Sequence, residues 1–129
     1  MLRCGSVISI FDVKRGDLMA REKYQTLTEQ MFYILICLKK ESCGVDIMKK
    51  VEELTDGRVV IGPGTLYSLL DKFVKEKIIL ETKIENRKKN YVITSLGIEM
   101  LEKEYFRVTK LKNDYEILVM GGENSERNS

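Results

Sequence analysis

Polar side chains recur at helical spacing in the stretch from Pro63 to Lys77. Thr65, Ser68 and Lys72 are three or four residues apart, so a helix would present them on one face. Hydroxyl and ammonium groups placed in this way can form hydrogen bonds with the edges of nucleic-acid bases and with phosphates. Gly64 would permit a close approach at the start of the helix, and Tyr67 lies at the border of the polar face. An ordinary amphipathic surface helix shows the same pattern, so both interpretations stay open on these residues alone.

A second set of candidate binding residues is the adjacent triplet Arg87, Lys88 and Lys89. From residue 57 to residue 91 there are eight basic and four acidic residues, a surplus of +4 in a chain whose net charge is +2. A basic region on an otherwise balanced chain is typical of a domain that binds phosphates. A solvated loop is the alternative for the triplet taken by itself.

Residues that could support catalysis or hold a metal are few. The chain has no histidine, and its three cysteines, Cys4, Cys37 and Cys43, are not closely spaced. A closed metal site needs more ligands than these, and the usual general bases and phosphate-binding glycine loops are missing. We therefore expect no enzyme activity, no metal and no cofactor, and we expect Cys37 to be a small core residue in a reducing cytoplasm.

The elements that would position these residues follow from apolar periodicity and from turn residues. Thr26 or Thr28 can cap the first helix, and Ser42 is a candidate cap for the second. In chain order we predict a helix from residue 27, a second helix over 45–55, a short β-prone run over 58–61 and the helix over 63–77. Two strands over 78–84 and 90–94 then form a hairpin with a basic wing over 85–90, and a long helix follows over 96–120. This order predicts a mainly α fold with a small β-hairpin wing, namely a winged helix-turn-helix followed by a long C-terminal dimerisation helix.

The division of the chain follows the same pattern. Residues 1–18 do not resemble the rest and are expected to be a disordered arm or to lie outside the native chain, with Met19 as the start. Residues 19–95 are expected to form the DNA-binding domain, residues 96–120 the dimerisation helix, and the glycine- and serine-containing residues 121–129 a disordered tail. No apolar run approaches the roughly 20 residues that a membrane span needs.

The last predicted helix carries an apolar row that is too long for one small domain to cover. An uncovered row of this kind marks an interaction surface, and a two-fold dimer is the commonest way to bury it. The alternative is that the helix folds back on its own domain. The expected interface residues are Ile98, Leu101, Tyr105, Val108, Leu111, Tyr115 and Leu118. An unknown small-molecule effector between the dimer helices, near Met100, Tyr105 or Phe106, is possible, although a core position is the better expectation for each.

Two motifs resemble a known family. They are similar to motifs of the PadR family of transcriptional regulators, in its smaller branch with a single C-terminal helix. The first motif is Pro63-Gly64-Thr65-Leu66-Tyr67, and the second is the run from Tyr91 through Thr94 to Gly97. The resemblance implies that the helix over 63–77 is a recognition helix. Lys77 departs from the pattern, because a glycine usually follows that helix, and the turn must form without it.

The sequence therefore predicts a cytoplasmic, dimeric, sequence-specific regulator of transcription, with repression as the expected mode. The expected partner is double-stranded DNA with a near-palindromic operator, since a two-fold dimer would present two recognition helices about 34 Å apart. The expected DNA-binding residues are Gly64, Thr65, Tyr67, Ser68, Lys72, Arg87, Lys88 and Lys89. The alternative is a winged-helix module that binds protein and does not read DNA sequence.

Overall fold

Three short helices enclose the apolar side chains of the first half of the domain. The structure is a computed structural model that describes residues 26–121. The predicted leader 1–18 and all of the predicted tail except residue 121 lie outside the described residues. The elements are α1 (Glu29–Cys37), β1 (Ser42–Cys43), α2 (Gly44–Leu54), α3 (Pro63–Lys75), β2 (Ile79–Glu85), β3 (Lys88–Ile93) and α4 (Ser95–Tyr115), followed by a π-helical turn (Glu116–Met120).

The core consists of the apolar rows of α1, α2 and α3 together with the base of the hairpin. Burial of large aliphatic and aromatic side chains is the main stabilising term, at about 1.5–3 kcal/mol for each fully buried residue. The side chains with no exposed surface include Ile34 and Leu35 of α1, Ile47 and Val51 of α2, Leu66, Leu70 and Phe73 of α3, and Ile78 and Ile79 at the base of the hairpin. These residues hold the back of α3, so that its opposite face is presented to solvent.

The helix starts differ in part from the sequence-based expectation. Thr28, one of the two expected candidates, caps α1, and its hydroxyl accepts a hydrogen bond from the Met31 amide at 3.2 Å. The expectation that Ser42 caps α2 was wrong, because Ser42 pairs with β3 and Cys43 is the residue before the helix. The helix α3 begins at Pro63 as predicted, and its last residue is Lys75 rather than Lys77.

The predicted β-prone run over 58–61 is not a strand. Val59 and Ile61 are buried in the core, and the backbone between α2 and α3 is irregular. The Thr55 hydroxyl holds this connection, since it lies 2.8 Å from the Val51 carbonyl and accepts the Val59 amide at 3.0 Å. The alternation of β-branched residues here therefore reflects core packing and not strand pairing.

The wing belongs to a three-stranded antiparallel sheet with the order β1-β3-β2. The two-residue strand β1 was not predicted, and it pairs Ser42 with Tyr91 and Cys43 with Asn90. The turn of the hairpin contains only Asn86 and Arg87, both with positive φ (52° and 66°), as in a type I′ turn. Lys88 and Lys89 lie in β3 and not in the tip to which the sequence assigned them.

The end of α3 forms a Schellman motif with Lys77 in the left-handed conformation. Lys77 has a φ of 63°, its amide donates to the Val74 carbonyl at 3.0 Å, and the Ile78 amide donates to the Phe73 carbonyl at 2.8 Å. The turn therefore forms without the glycine that the PadR resemblance leads one to expect, and a Cβ atom is strained in this conformation.

Lys77→Gly should stabilise the fold by about 1 kcal/mol, because glycine removes the left-handed Cβ penalty. The measurement is urea unfolding at a fixed protein concentration. Lys77→Ala is the matched control, since it removes the same charge but keeps a Cβ atom, and it should give no such gain. Equal stabilities of the glycine and alanine variants would contradict the strain at Lys77.

Candidate nucleic-acid interface

The front of α3 is exposed along its whole polar face. Gly64, Thr65, Ser68 and Lys72 are all exposed, while Leu66 and Leu70 on the back have no exposed surface. A Cβ atom added at Gly64 would meet nothing within 4 Å, so the start of the helix is open for the approach of a ligand. The structure thus places these four predicted residues together on one accessible surface.

Tyr67 leaves the front of α3 and leans over the start of α2. A Cβ atom built on Gly44, the first residue of α2, would lie 2.7 Å from Cζ and 2.8 Å from Cε1 of the Tyr67 ring. Separations under about 3 Å are not tolerated between carbon atoms, so only glycine permits this position of the ring. Gly44 is therefore a positioning residue that the sequence analysis did not identify. The signal that could have identified it is a glycine immediately before the helix predicted over 45–55, where a close approach can require the absence of a side chain.

The basic triplet lies across a groove from Tyr67. Arg87, Lys88 and Lys89 line this groove of about 390 Å³, together with Tyr67, Asp71 and Tyr91 and the start of α2 (Cys43, Gly44, Val45). Tyr91 is buried, and burial, followed by the negative charges of Glu81 and Asp71, raises its pKa. Because its hydroxyl stays neutral at physiological pH, the charge on the wall of this groove comes from the cations and from Asp71.

The three cations of the wing differ in their surroundings. Lys89 Nζ lies 3.5 Å from a Glu81 carboxylate oxygen, in an ion pair whose side chains are about half exposed (53% and 44%). Such exposed ion pairs contribute little to the free energy of folding. Within residues 26–121, Arg87 and Lys88 have no acidic partner within 4.0 Å. All three cations are exposed and can be offered to an anion at small desolvation cost.

Arg58 belongs to the basic third of the sequence but not to this groove. Its guanidinium lies 2.6 Å from a Glu29 carboxylate oxygen and donates to the Tyr33 hydroxyl at 2.8 Å, on the side of α1. The basic surface is therefore smaller than the count of charges in the sequence indicates, and it is concentrated on the wing and on α3.

The predicted interface row of α4 divides into a covered and an exposed part. Leu101 is buried, and Ile98 is partly buried against the core of the same chain. Met100 is also a core residue. From Tyr105 onward the row is open: Tyr105, Val108, Leu111, Tyr115 and Leu118 are 46–86% exposed. Phe106 of α4 is 71% exposed, and Ile117 of the following π-helical turn is 72% exposed. The core position expected for Met100 is therefore found, whereas the core position expected for Tyr105 and Phe106 is wrong.

A second groove, of about 470 Å³, lies between α1 and α4 and includes part of that row. Leu27, Phe32, Tyr33, Tyr105 and Val108 line it, with Glu29, Glu104 and Arg107. Glu104 is buried, and its carboxylate accepts two hydrogen bonds from the Arg107 guanidinium, at 2.5 and 3.1 Å. The same carboxylate accepts a hydrogen bond from the Leu27 amide. The Arg107 hydrogen bonds lower the pKa of Glu104, so its carboxylate stays charged at neutral pH.

The described part of the chain contains neither a group of side chains suited to a metal ion nor a helix suited to a membrane span. Among residues 26–121, no three histidine, cysteine, aspartate or glutamate side chains are grouped closely enough to hold a metal ion. In the same range, no helix has the length and apolar content for crossing a bilayer. Cys37 and Cys43 are both buried free thiols, and burial raises the pKa of Cys37.

Helices α2 and α3, the hairpin and its position beside the start of α3 define a winged helix-turn-helix protein. The chain belongs to the transcriptional regulator PadR-like family, whose model matches residues 34–103, more than half of the chain. This confirms both the fold class and the family that the two motifs resemble. The members of this family are transcriptional regulators and not enzymes.

Relatives and solved structures are similar to parts of the chain. The chain is 29% identical over 77 residues to the transcriptional regulator YqjI of Escherichia coli, over 60% of this chain and 37% of that protein, so it spans little more than a third of that relative's length. A transcriptional regulator from Clostridium thermocellum has a TM-score of 0.62 at 24% identity, over 73% of this chain and 99% of that one.

Two further solved structures share the fold. A structure titled as a complex of hsRosR-S4, from h. salinarum, has a TM-score of 0.60 at 18% identity, over 85% of this chain and 99% of that one. The adhesin competence repressor AdcR from Streptococcus pyogenes has a TM-score of 0.53 at 17% identity, over 89% of this chain and 82% of that one.

Gly44→Ala should destabilise the protein by about 0.5–1.5 kcal/mol, because the new methyl group forces the outer end of the exposed Tyr67 ring out of its position. Denaturant unfolding measures the loss, and Gly64→Ala, where the space is open, is the control for adding a methyl group at the start of a helix. In a Tyr67→Ala background the substitution should lose most of its effect. Equal costs in both backgrounds would show that the ring is not the obstacle.

Proposed function

We propose that this protein is a sequence-specific DNA-binding regulator of transcription that acts as a homodimeric repressor. The observation that carries the proposal is that α3 exposes a polar face and the wing exposes three cations, and that Tyr67 and Asp71 of α3 line one groove together with those cations. In a winged helix-turn-helix, this pair of surfaces corresponds to a helix in the major groove and a hairpin on the adjacent backbone or minor groove. Membership of a family of transcriptional regulators supports the same assignment.

The side chains divide by chemistry into those that read bases and those that hold the backbone. Thr65 and Ser68 carry short hydroxyls that reach base edges only at close range, and Gly64 allows that approach. Lys72, Arg87, Lys88 and Lys89 are long cations that suit phosphates, and Tyr67 presents its hydroxyl at the edge of the groove. A small domain that occupies its site on DNA excludes other proteins from that site, which is the basis for proposing repression. We propose the cytoplasm as its location, because reduced thiols such as those of Cys37 and Cys43 are typical of that compartment.

The exposed part of the α4 row supports a homodimer. Five large apolar side chains from Tyr105 to Leu118 stand open on one stretch of helix, and patches of this kind mark an interaction site. If two copies of the chain are related by a two-fold axis at this row, their α4 rows pack against each other and both are covered. The two α3 helices would then face DNA about one helical turn apart, which requires a near-palindromic operator.

A module that binds protein through its winged helix is the second candidate, because the fold is the same. DNA binding and protein binding differ in how the affinity responds to salt. A DNA complex releases counterions for each neutralised phosphate, so the logarithm of its affinity falls linearly with the logarithm of the salt concentration. Binding to an operator selected from random duplexes, measured over a range of salt, tests the proposal.

Replacing Arg87, Lys88 and Lys89 together by alanine should flatten the slope of log affinity against log salt by up to about 3 units, roughly one for each lost phosphate contact. Fluorescence anisotropy with a labelled duplex measures the slope. Thr65→Ala and Ser68→Ala, which remove no charge, should leave the slope alone and change which duplex is preferred. An unchanged slope in the triple variant would assign the cations to solubility.

Val108→Glu should convert the homodimer to a monomer at micromolar concentration, because the two-fold axis would bury two additional carboxylates close together. Sedimentation velocity measures the change. Lys110→Glu introduces the same residue two positions along α4, outside the apolar row, and should leave the dimer intact. A monomeric wild type at this concentration would refute the dimer and the palindrome together.

A further inference from the structure

The wing contains a β-bulge that changes which residues share a face. Glu81 pairs with Tyr91, and the next recorded partners are Ile84 with Lys89, so that Thr82 and Lys83 stand opposite the single residue Asn90. One extra residue in β2 therefore shifts the register between the base and the tip of the hairpin. Bulges of this kind change the direction in which a side chain points.

The shift places Ile84 on the face that carries Lys89 and Tyr91. Residues directly opposite each other in an antiparallel pair project to the same side, and residues two apart on one strand do so as well. Without the bulge, Ile84 would pair with Lys88 and project to the other side. The ion pairs agree with this assignment, since Lys89 contacts Glu81 across the strands at 3.5 Å while Lys83 contacts Glu85 along the other face at 3.3 Å.

That face borders the groove between the wing and α3 through Lys89 and Tyr91, and Lys88 of the other face lines the same groove next to the turn. Lys89 and Tyr91 line the groove together with Tyr67 and Asp71 of α3. Ile84 is 67% exposed at the cationic end of the hairpin, next to the turn that carries Arg87. An apolar side chain gains nothing from a phosphate, but it gains from contact with deoxyribose and with the base faces that a partly unstacked step exposes.

We propose that Ile84 is a specificity-determining residue that enters the minor groove beside the site read by α3. There it packs against sugars and a base step, while the neighbouring cations hold the phosphates on either side. Apolar side chains in this position favour base steps that unstack easily, such as TA and CA/TG, so Ile84 reads the deformability of the flanking sequence. This inference depends on the proposed DNA-binding function and adds a second source of sequence preference to it.

The test begins with selection of preferred duplexes from a random pool by the wild type. Ile84→Ala should bind the selected duplex on the order of tenfold more weakly, the loss expected for one specificity contact. It should also lose the preference at the flanking base pairs and keep the preference at the positions read by α3. The salt slope should not change, because no charge is removed. Leu80→Ala is the matched control: it removes an exposed apolar side chain from the same strand on the other face, and its affinity and preferences should equal those of the wild type.

A second variant tests the face assignment and not only the residue type. Exchanging the two neighbours, Lys83→Ile with Ile84→Lys, keeps the composition of the wing and moves the apolar side chain to the opposite face. It should lose the flanking preference as Ile84→Ala does. Retention of affinity within twofold and of the flanking preference by Ile84→Ala would overturn the inference while leaving the proposed function in place. A wild type that selects no duplex would overturn the proposed function, and the inference with it.

Discussion

The close contact between Gly97 and the turn after α3 holds the parts of this structure together. A Cβ atom at Gly97 would lie 2.5 Å from the Ile78 carbonyl oxygen and 2.6 Å from Ile93 Cγ1, so the first turn of α4 can pack this closely only because its third residue is a glycine. Thr94 completes the joint, because its hydroxyl lies 2.8 Å from the Lys77 and Ile78 carbonyl oxygens and accepts the Gly97 amide at 3.2 Å. The end of α3, the base of the wing and the first turn of α4 all meet at this point. The orientation of the proposed DNA-contacting surface relative to the proposed dimer helix is therefore determined within a few residues.

Much of the fold could be predicted from the sequence, because its helices and its hairpin leave local patterns in the chain. The helices were evident from apolar rows at helical spacing, and the hairpin from two β-prone runs around a polar turn, because both patterns reflect local structure. The strand β1 could not be predicted, since two residues carry no periodicity and their pairing with β3 is set by tertiary contacts. The run over 58–61 was misassigned for a related reason: alternating burial is the mark of a strand, and here Val59 and Ile61 reach the core from an irregular segment.

For the candidate nucleic-acid interface, too, the sequence predicts features that depend on local spacing and does not predict features that depend on contacts between distant residues. Exposure of Thr65, Ser68 and Lys72 followed directly from their spacing on α3, and exposure of the cations from their place beside the turn. The role of Gly44 did not follow, because its contact with Tyr67 joins residues far apart in the chain. The face of Ile84 was equally hidden, because one extra residue in β2 reverses the alternation that a regular hairpin would give. Side chains positioned by a single element could thus be predicted, whereas those positioned by two elements could not.

The unpredicted strand β1 has a consequence for how the two proposed contact surfaces act. It lies immediately before α2 and pairs with β3, and the Ile93 amide also donates to the Leu38 carbonyl at the end of α1 at 2.8 Å. The wing is therefore attached to the start of α2, where Gly44 receives the Tyr67 ring of α3. Because these hydrogen bonds and this packing contact share the same few residues, α3 and the wing are held as one preorganised surface, and little conformational entropy is lost when both meet a ligand. A hairpin attached only through its own base would lack this support, and its cations would then contribute attraction to phosphates but no fixed register along DNA.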